Sequence, residues 1–297
     1  MSRSRSATLL LLTFPLLWGL SFPAGKWAVQ DFSPELTSFL RFAIASAALW
    51  PFALRGRSAP AAWSRRNLLI LGLLGLTGIF AYHVLFYWSL RLTSAGNSAL
   101  IISSDSLLTI GLAVLFLGER MTWRKAVGIA LGFAGVAVIV SDGALTTMLT
   151  HGPNTGDLLA FGAAIAWALY GVVSKPVAHL YDPFDLSWAT WVVGAVLLSP
   201  FLLQESALPS LLGGSLRGWL SVLYMSLIST GLGYFLYLKG IKEIGAAATA
   251  KFIFLVPVYV LVLAFLFLGE PVPPFKIGAA AAIIVGLWVA KEPEGHG

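Results

Sequence analysis

The chain has 297 residues, of which 58% are hydrophobic and 11% charged, against roughly 25% charged in a soluble domain. That balance excludes a conventional water-soluble core. The absence of cysteine excludes disulfides, thiol catalysis and Cys-ligated zinc or iron–sulfur centres. The formal charge of +6 sits on basic residues scattered singly between apolar runs, a pattern of membrane topology signals rather than of a nucleic-acid surface.

A bilayer core takes about 20 apolar residues per helix, with a usual range of roughly 17–25. Such segments fall near 7–29, 34–54, 68–90, 96–117, 123–141, 156–178, 185–203, 218–239, 245–268 and 274–290. They predict an all-α membrane protein of ten transmembrane helices. Arg3 and Arg5 ahead of the first run resemble a signal peptide. Residues 7–29, however, have a full counterpart at 156–178, so the first segment is expected to remain as a helix. The longest polar interruption, 142–156, carries His151, Pro153 and Asn154 and joins the fifth and sixth helices.

The chain is written twice. Trp18, Lys26, Pro34 and Pro51-Phe52 recur 149 residues later as Trp167, Lys175, Pro183 and Pro200-Phe201. Further on the offset is 151: Leu115-Phe116-Leu117-Gly118-Glu119 returns as Leu266-Phe267-Leu268-Gly269-Glu270, and Lys125 and Gly135 return as Lys276 and Gly286. The reading is a first five-helix repeat at 1–142, a connecting loop at 143–155 and a second repeat at 156–297. Lysine and arginine placement sets orientation. With the amino terminus in the cytoplasm, Lys26, Arg91, Arg217 and Lys276 lie outside and Arg41 lies within a helix; the rest of the 19 basic residues, among them Arg55, Arg57 and Lys291, lie inside. Both termini are therefore expected in the cytoplasm. Two copies of five helices then have opposite orientation, an architecture that places a transporter's substrate site at the repeat interface.

The segment from Val256-Pro257 through Leu266-Phe267-Leu268-Gly269-Glu270, followed by a Gly- and Ala-rich apolar helix, resembles the EamA domain of the drug/metabolite transporter superfamily. The first copy shows the same pattern from Ser106 to Glu119, with Ser106 where the second has Pro257. The resemblance implies a central cavity lined by the first four helices of each copy, with helices five and ten peripheral. It also implies export of metabolites, most often amino acids from the cell through the inner membrane. In general character the chain is most similar to the YddG-type exporters of aromatic amino acids. Small multidrug exporters of the superfamily use a Glu in their first helix; residues 7–29 contain no acid, which counts against export of cationic drugs by that route.

Candidate site residues follow from polarity at membrane depth. Ser226, Thr230, Tyr234 and Tyr237 share one face of helix eight, and a polar stripe there faces either a cavity or a neighbouring helix. Trp18, Ser21 and Gly25 in helix one match Trp167, Tyr170 and Ser174 in helix six; both tryptophans sit near mid-membrane, away from the interfacial belt. Asp105 is the acid deepest in a segment, on a stripe with Ser98 and Thr109. It suits an amino group, protonation coupled to transport, or a neutral acid bonded to hydroxyls. His83 beside Tyr82 is a proton-shuttle candidate or a helix–helix partner. The expected aromatic box is Trp18, Trp167, Tyr82, Tyr170 and Tyr234, with Asp105 or Asn97 meeting the polar head group.

Lys251 reads as a snorkelling cation or a carboxylate binder, and Arg41 as a structural partner. Glu119 and Glu270 are expected to stabilise the amino ends of the helices that follow them. Gly128, Gly132 and Gly135 permit close packing against neighbours, so a monomer is expected, with a dimer as the alternative. Pro15, Pro23 and Pro257 are candidate bending points. The histidines 83, 151, 179 and 296 share no helix spacing, and HExxH, Gly-x-Ser-x-Gly and P-loop motifs are absent. A membrane enzyme, an ATP-driven pump and a metal or cofactor site are thus not expected. Export of drugs such as methylviologen, or a channel, is the competing reading; a pore would show filter elements that are not evident.

Overall fold

The computed structural model describes residues 2–53, 64–144, 150 and 152–290, with side chains from Leu11 onward apart from Ala246 and Ala247. The topology-setting Arg55, Arg57 and Lys291, together with His151 and His296, lie outside the described residues, as do the side chains of Arg3 and Arg5. Among the described residues there is no strand. The long helices are α1 (Ser2–Asp31), α2 (Pro34–Leu49), α3 (Arg65–Leu92), α4 (Ala95–Ile102 continued by Asp105–Leu117), α5 (Trp123–Val140), α6 (Thr155–Ser174) and α7 (Pro183–Leu203). After a short helix at Ala207–Gly213 come α8 (Leu216–Ile244), α9 (Ala246–Phe252 continued by Leu255–Leu268) and α10 (Pro274–Ala290). Among the described residues, 7 helices, α3 to α9, are long and apolar enough to cross a membrane, and α10 is a shorter apolar helix.

Local chemistry explains where the helices begin and end. Side-chain oxygens of Ser33, Ser64, Ser94, Thr122, Asn154, Asp182 and Ser215 accept the first free backbone N–H groups of α2 to α8. Pro34 and Pro183 occupy the first turns of α2 and α7, where their fixed φ suits a helix and no N–H is missed. At the far ends of α4 and α9, Gly118 and Gly269 take left-handed φ of 69° and 68°. The Glu119 and Glu270 N–H groups then donate back to the Ala113 and Ala264 carbonyls at 3.3 and 3.2 Å. The two copies thus share backbone detail as well as sequence.

They also share irregularities that periodicity does not announce. A π-helical stretch spans Gly75–Ala81 in α3 and another spans Tyr224–Leu232 in α8, beginning 149 residues apart. Helix α4 breaks at Ser103-Ser104 and α9 at Ile253-Phe254. The expected segment 34–54 ends its α-helix at Leu49 and finishes as a 3-10 turn, Trp50–Phe52, because Pro51 supplies no N–H to continue the ladder. The expected segment 156–178 stops as an α-helix at Ser174.

Packing crosses between copies. Helix α1 lies against α8 and α9, and correspondingly α6 lies against α3 and α4; α2 meets α7, and α5 meets α10. The α5–α10 contact is made by glycine: a Cβ on Gly286 would stand 2.6 Å from the Gly128 carbonyl and 2.8 Å from the Gly132 nitrogen. Large apolar side chains such as Leu115, Phe116, Trp123 and Trp288 are exposed at the periphery, as expected of a surface solvated by lipid.

Candidate functional site: a cavity between the two copies

The crossing helices enclose a cavity of about 390 Å³, within the range of small-molecule sites. From the first copy α1 contributes Trp18, Ser21 and Phe22, α2 Arg41 and Phe42, α3 Ile79, Tyr82, His83 and Phe86, and α4 Ser103, Asp105 and Ser106. From the second, α6 contributes Trp167 and Tyr170, α7 Ser187, Thr190 and Trp191, α8 Ser229, Thr230, Tyr234 and Tyr237, and α9 Ile253, Phe254, Val256 and Pro257. Helix α10 adds Ile284 and Leu287, so it is less peripheral than the resemblance implies. The π stretches and helix breaks fall along this wall; local loosening of a helix is frequent at functional sites.

The aromatic side chains form two groups. Trp167 stacks on Tyr170 (centroids 5.0 Å apart, planes at 25°) and meets Tyr82 at 4.9 Å. Trp18 meets Tyr237 at 5.4 Å, and Trp191 lies edge-on to Tyr234 at 5.6 Å. His83 packs edge-on against Phe42 at 4.4 Å and Tyr82 at 4.6 Å. Hydrogen bonds fix several of them: Trp18 Nε1 donates to the Ser229 carbonyl at 3.1 Å, Ser21 Oγ to Ser229 Oγ at 2.6 Å, and Ser187 Oγ to the Tyr234 hydroxyl at 2.5 Å. Asp105 opens the second half of α4, just after the break, and accepts from Ser106 Oγ at 2.9 Å. Among the described residues no cation lies within ion-pair distance of it.

Of the residues expected from sequence, the cavity gathers Trp18, Ser21, Tyr82, His83, Asp105, Trp167, Tyr170, Thr230, Tyr234 and Tyr237. Asn97 is not among its lining: its Nδ2 donates to both Asp157 carboxylate oxygens, at 3.4 and 3.3 Å, one turn into α4. Ser226 is buried against its own helix, donating to the Val222 carbonyl, because the π stretch turns it off the Thr230–Tyr237 face. Lys251 is exposed and away from the lining. Sequence reasoning passed over Ser187, Thr190, Trp191 and Ser229, and read Arg41 only as a structural partner. A signal existed for Trp191: it stands 149 residues after Phe42, which faces the same cavity.

Beyond one end of the cavity the copies are clamped. Glu270 accepts from the Ala95 and Gly96 N–H groups at 2.8 and 3.1 Å and pairs with Lys26 at 3.4 Å. Lys26 Nζ also donates to the Thr93 carbonyl, Lys276 Nζ to Ser94 Oγ at 3.3 Å, and Thr93 Oγ1 to Asp157 at 2.6 Å. Glu270 therefore caps α4, a helix of the other copy, rather than the helix that follows it. A carboxylate gains there from two free N–H groups and the positive end of the helix dipole. At the equivalent place in the first copy, Glu119 pairs with Lys175 at 2.7 Å and Lys125 at 3.2 Å. Its side chain is 39% exposed against 13% for Glu270. The two ammonium groups hold the Glu119 carboxyl below its ordinary pKa.

The profile of the EamA-like transporter family matches residues 5–141 and again 154–290. The chain belongs to the EamA-like transporter family. It carries two EamA-like repeats and is a membrane transporter. It is 33% identical to the uncharacterized transporter YyaM of Bacillus subtilis over 283 residues, 95% of this chain and 92% of the relative. It is 29% identical to a "probable terminal-alkyne amino-acid exporter" of Streptantibioticus cattleyicolor, over 97% of this chain and 93% of that one. A "probable amino-acid metabolite efflux pump" of Escherichia coli is 28% identical over 96% of this chain and 95% of its own length. A solved crystal structure superposes with TM-score 0.64 at 22% identity, covering 98% of this chain and 99% of its own, a likeness of fold alone.

Proposed function

We propose that this EamA transporter exports amino acids with an aromatic or bulky apolar side chain across the inner membrane. It does so by rocking one five-helix copy against an oppositely oriented partner copy. The copies are 1–142 and 156–297, joined by 143–155, with ten membrane helices and both termini cytoplasmic. The observation that carries this reading is the inter-copy cavity walled by Trp18, Trp167, Tyr82, Tyr170 and Tyr234, with Asp105 in its lining for the substrate's amino group. Relatives whose names specify amino-acid export or efflux support the substrate class. A monomer is supported by the glycine faces of α5 and α10, which are taken up by each other.

The unequal glutamates support alternating access. With the amino terminus inside, the Glu270 clamp lies on the external face and Glu119 on the cytoplasmic face. The cavity is then closed outward and loads from the cytoplasm, the resting state an exporter needs. Export breaks the Glu270–α4 cap and makes its counterpart, Glu119 on the amino end of α9.

The test is flux of radiolabelled L-phenylalanine, L-tryptophan, L-threonine and methylviologen in proteoliposomes, with and without a pH gradient. Saturable flux with counterflow of the aromatic amino acids, ahead of threonine, is expected. Methylviologen flux without amino-acid flux overturns the substrate class. Non-saturable flux without counterflow overturns the carrier.

A further inference from the structure

Arg41 sits in the middle of α2 and is only 9% exposed, yet it borders the cavity. A guanidinium stays charged in any protein setting and carries five N–H donors. Two have partners, both neutral: Nε donates to Thr230 Oγ1 at 3.0 Å and Nη1 to the Tyr87 hydroxyl at 3.2 Å. Tyr87 in turn directs its own proton to Met225 Sδ at 3.3 Å, so its oxygen is committed to accepting from Arg41. The guanidinium carbon lies 5.5 Å from the centre of the Phe42 ring. Among the described residues no carboxylate stands within ion-pair distance, and the other donors have no partner. A buried, uncompensated cation at membrane depth is costly and is retained where it faces a functional path. Holding it by Thr230 and Tyr87 fixes the plane of the fork while leaving its outer edge free.

We infer that Arg41 is the anion reader of this cavity and that the transported class carries a carboxylate, which the guanidinium takes in a two-point contact. The planar fork matches a carboxylate bidentately, as an ammonium cannot. The contact supplies the counter-charge that the fold withholds, so an empty cavity is electrostatically unfinished and a carboxylate completes it. The inference deepens the amino-acid reading above and rests on it for the second charge. Asp105 takes the ammonium, Arg41 the carboxylate, and the aromatic walls the side chain. A dication such as methylviologen would leave Arg41 unpaired and repelled.

Calorimetric titration of the purified full chain in nanodiscs tests this with L-phenylalanine, L-phenylalaninamide and 3-phenylpropionate, which carry both charges, only the ammonium, and only the carboxylate. The wild type is expected to bind the amide on the order of 100-fold more weakly than the amino acid, the usual scale for removing one partner of a buried charge pair. Arg41→Met should abolish that preference and the binding of 3-phenylpropionate. Arg41→Lys, which keeps the charge and loses the fork, should keep the order of ligands with a smaller gap. Equal wild-type affinity for phenylalanine and its amide overturns the inference even if both variants fail to fold. So does an Arg41→Met variant that weakens acid and amide alike, or a failure of both carboxylates to bind. Arg41-dependent binding of 3-phenylpropionate without phenylalanine transport would sustain the inference and sink the amino-acid reading. Transport of phenylalanine and its amide at equal efficiency would do the reverse.

Discussion

Trp18 and Trp167 occupy equivalent positions yet are held differently. Trp18 is anchored through its indole N–H to Ser229 and packs edge-on against the fully buried Phe14 at 5.2 Å. Trp167 is 37% exposed and is held by ring contacts, stacked on Tyr170 of its own helix and against Tyr82 of α3. Trp167→Ala should therefore raise KM for L-phenylalanine about tenfold, the equivalent of about 1.4 kcal/mol, with little change in Tm. Trp18→Ala should also lower stability, by about 3 kcal/mol as for a large side chain lost from packing; flux kinetics beside thermal denaturation in detergent separates the two. Asp105→Asn should weaken binding of L-phenylalanine but leave 3-phenylpropionate, which has no amino group, unaffected. Equal losses for both ligands would make Asp105 a structural residue. These roles were partly legible in sequence because a polar or aromatic side chain at membrane depth needs a reason. The neutral partners of Arg41, Thr230 and Tyr87, were not legible in sequence because they come from α8 and α3, distant in the chain.

At the scale of elements, helix ends were written locally and helix interiors were not. Ser94 and Thr122 mark starts through their side-chain oxygens, and Gly118 and Gly269 mark ends through their left-handed φ. The π stretches Gly75–Ala81 and Tyr224–Leu232 shift hydrogen-bond register without a composition of their own, so helix periodicity carried Ser226 onto the wrong face. The α5 glycines were legible as a close-packing face, but their partner was not. Gly286→Leu should force α10 away from Gly128 and Gly132 and cost about 1–3 kcal/mol by overpacking, read as a lower Tm. An unchanged Tm accompanied by a change in oligomeric state would place that face at an interface between copies of the chain instead.

At the scale of the molecule, the two clamps make the pH and access predictions. The chain has no cysteine, so Ser103→Cys places a single reporter on the cavity wall. Membrane-impermeant maleimide should label it mainly from the Glu119 face. Glu270→Gln, which weakens the cap on α4, should increase labelling from the opposite face; no change would remove Glu270 from the gate. Because Lys175 and Lys125 lower the Glu119 pKa from 4.5, the contribution of that cluster is complete above the ordinary carboxylate range. It is lost as pH falls through the lowered value. Glu119→Gln should abolish whatever acid dependence of Tm this cluster causes, an effect kept small by its solvent exposure.

The sequence by itself determined the solvent, the duplication and the membership of the family. Apolar length, an offset repeat and the Leu-Gly-Glu endings are one-dimensional signals that lipid and helix geometry convert directly into helices. Only the tertiary structure decided which of those helices touch. It set Glu270 on the amino end of a helix in the other copy, left Glu119 with lysines, drew Asn97 to Asp157, and turned Arg41 toward the cavity with only neutral partners. The physical reason is that charge in a membrane protein is judged by what faces it at a few ångströms. In this chain the facing group comes from the other copy, well over a hundred residues away, for Glu270 as for Thr230 beside Arg41.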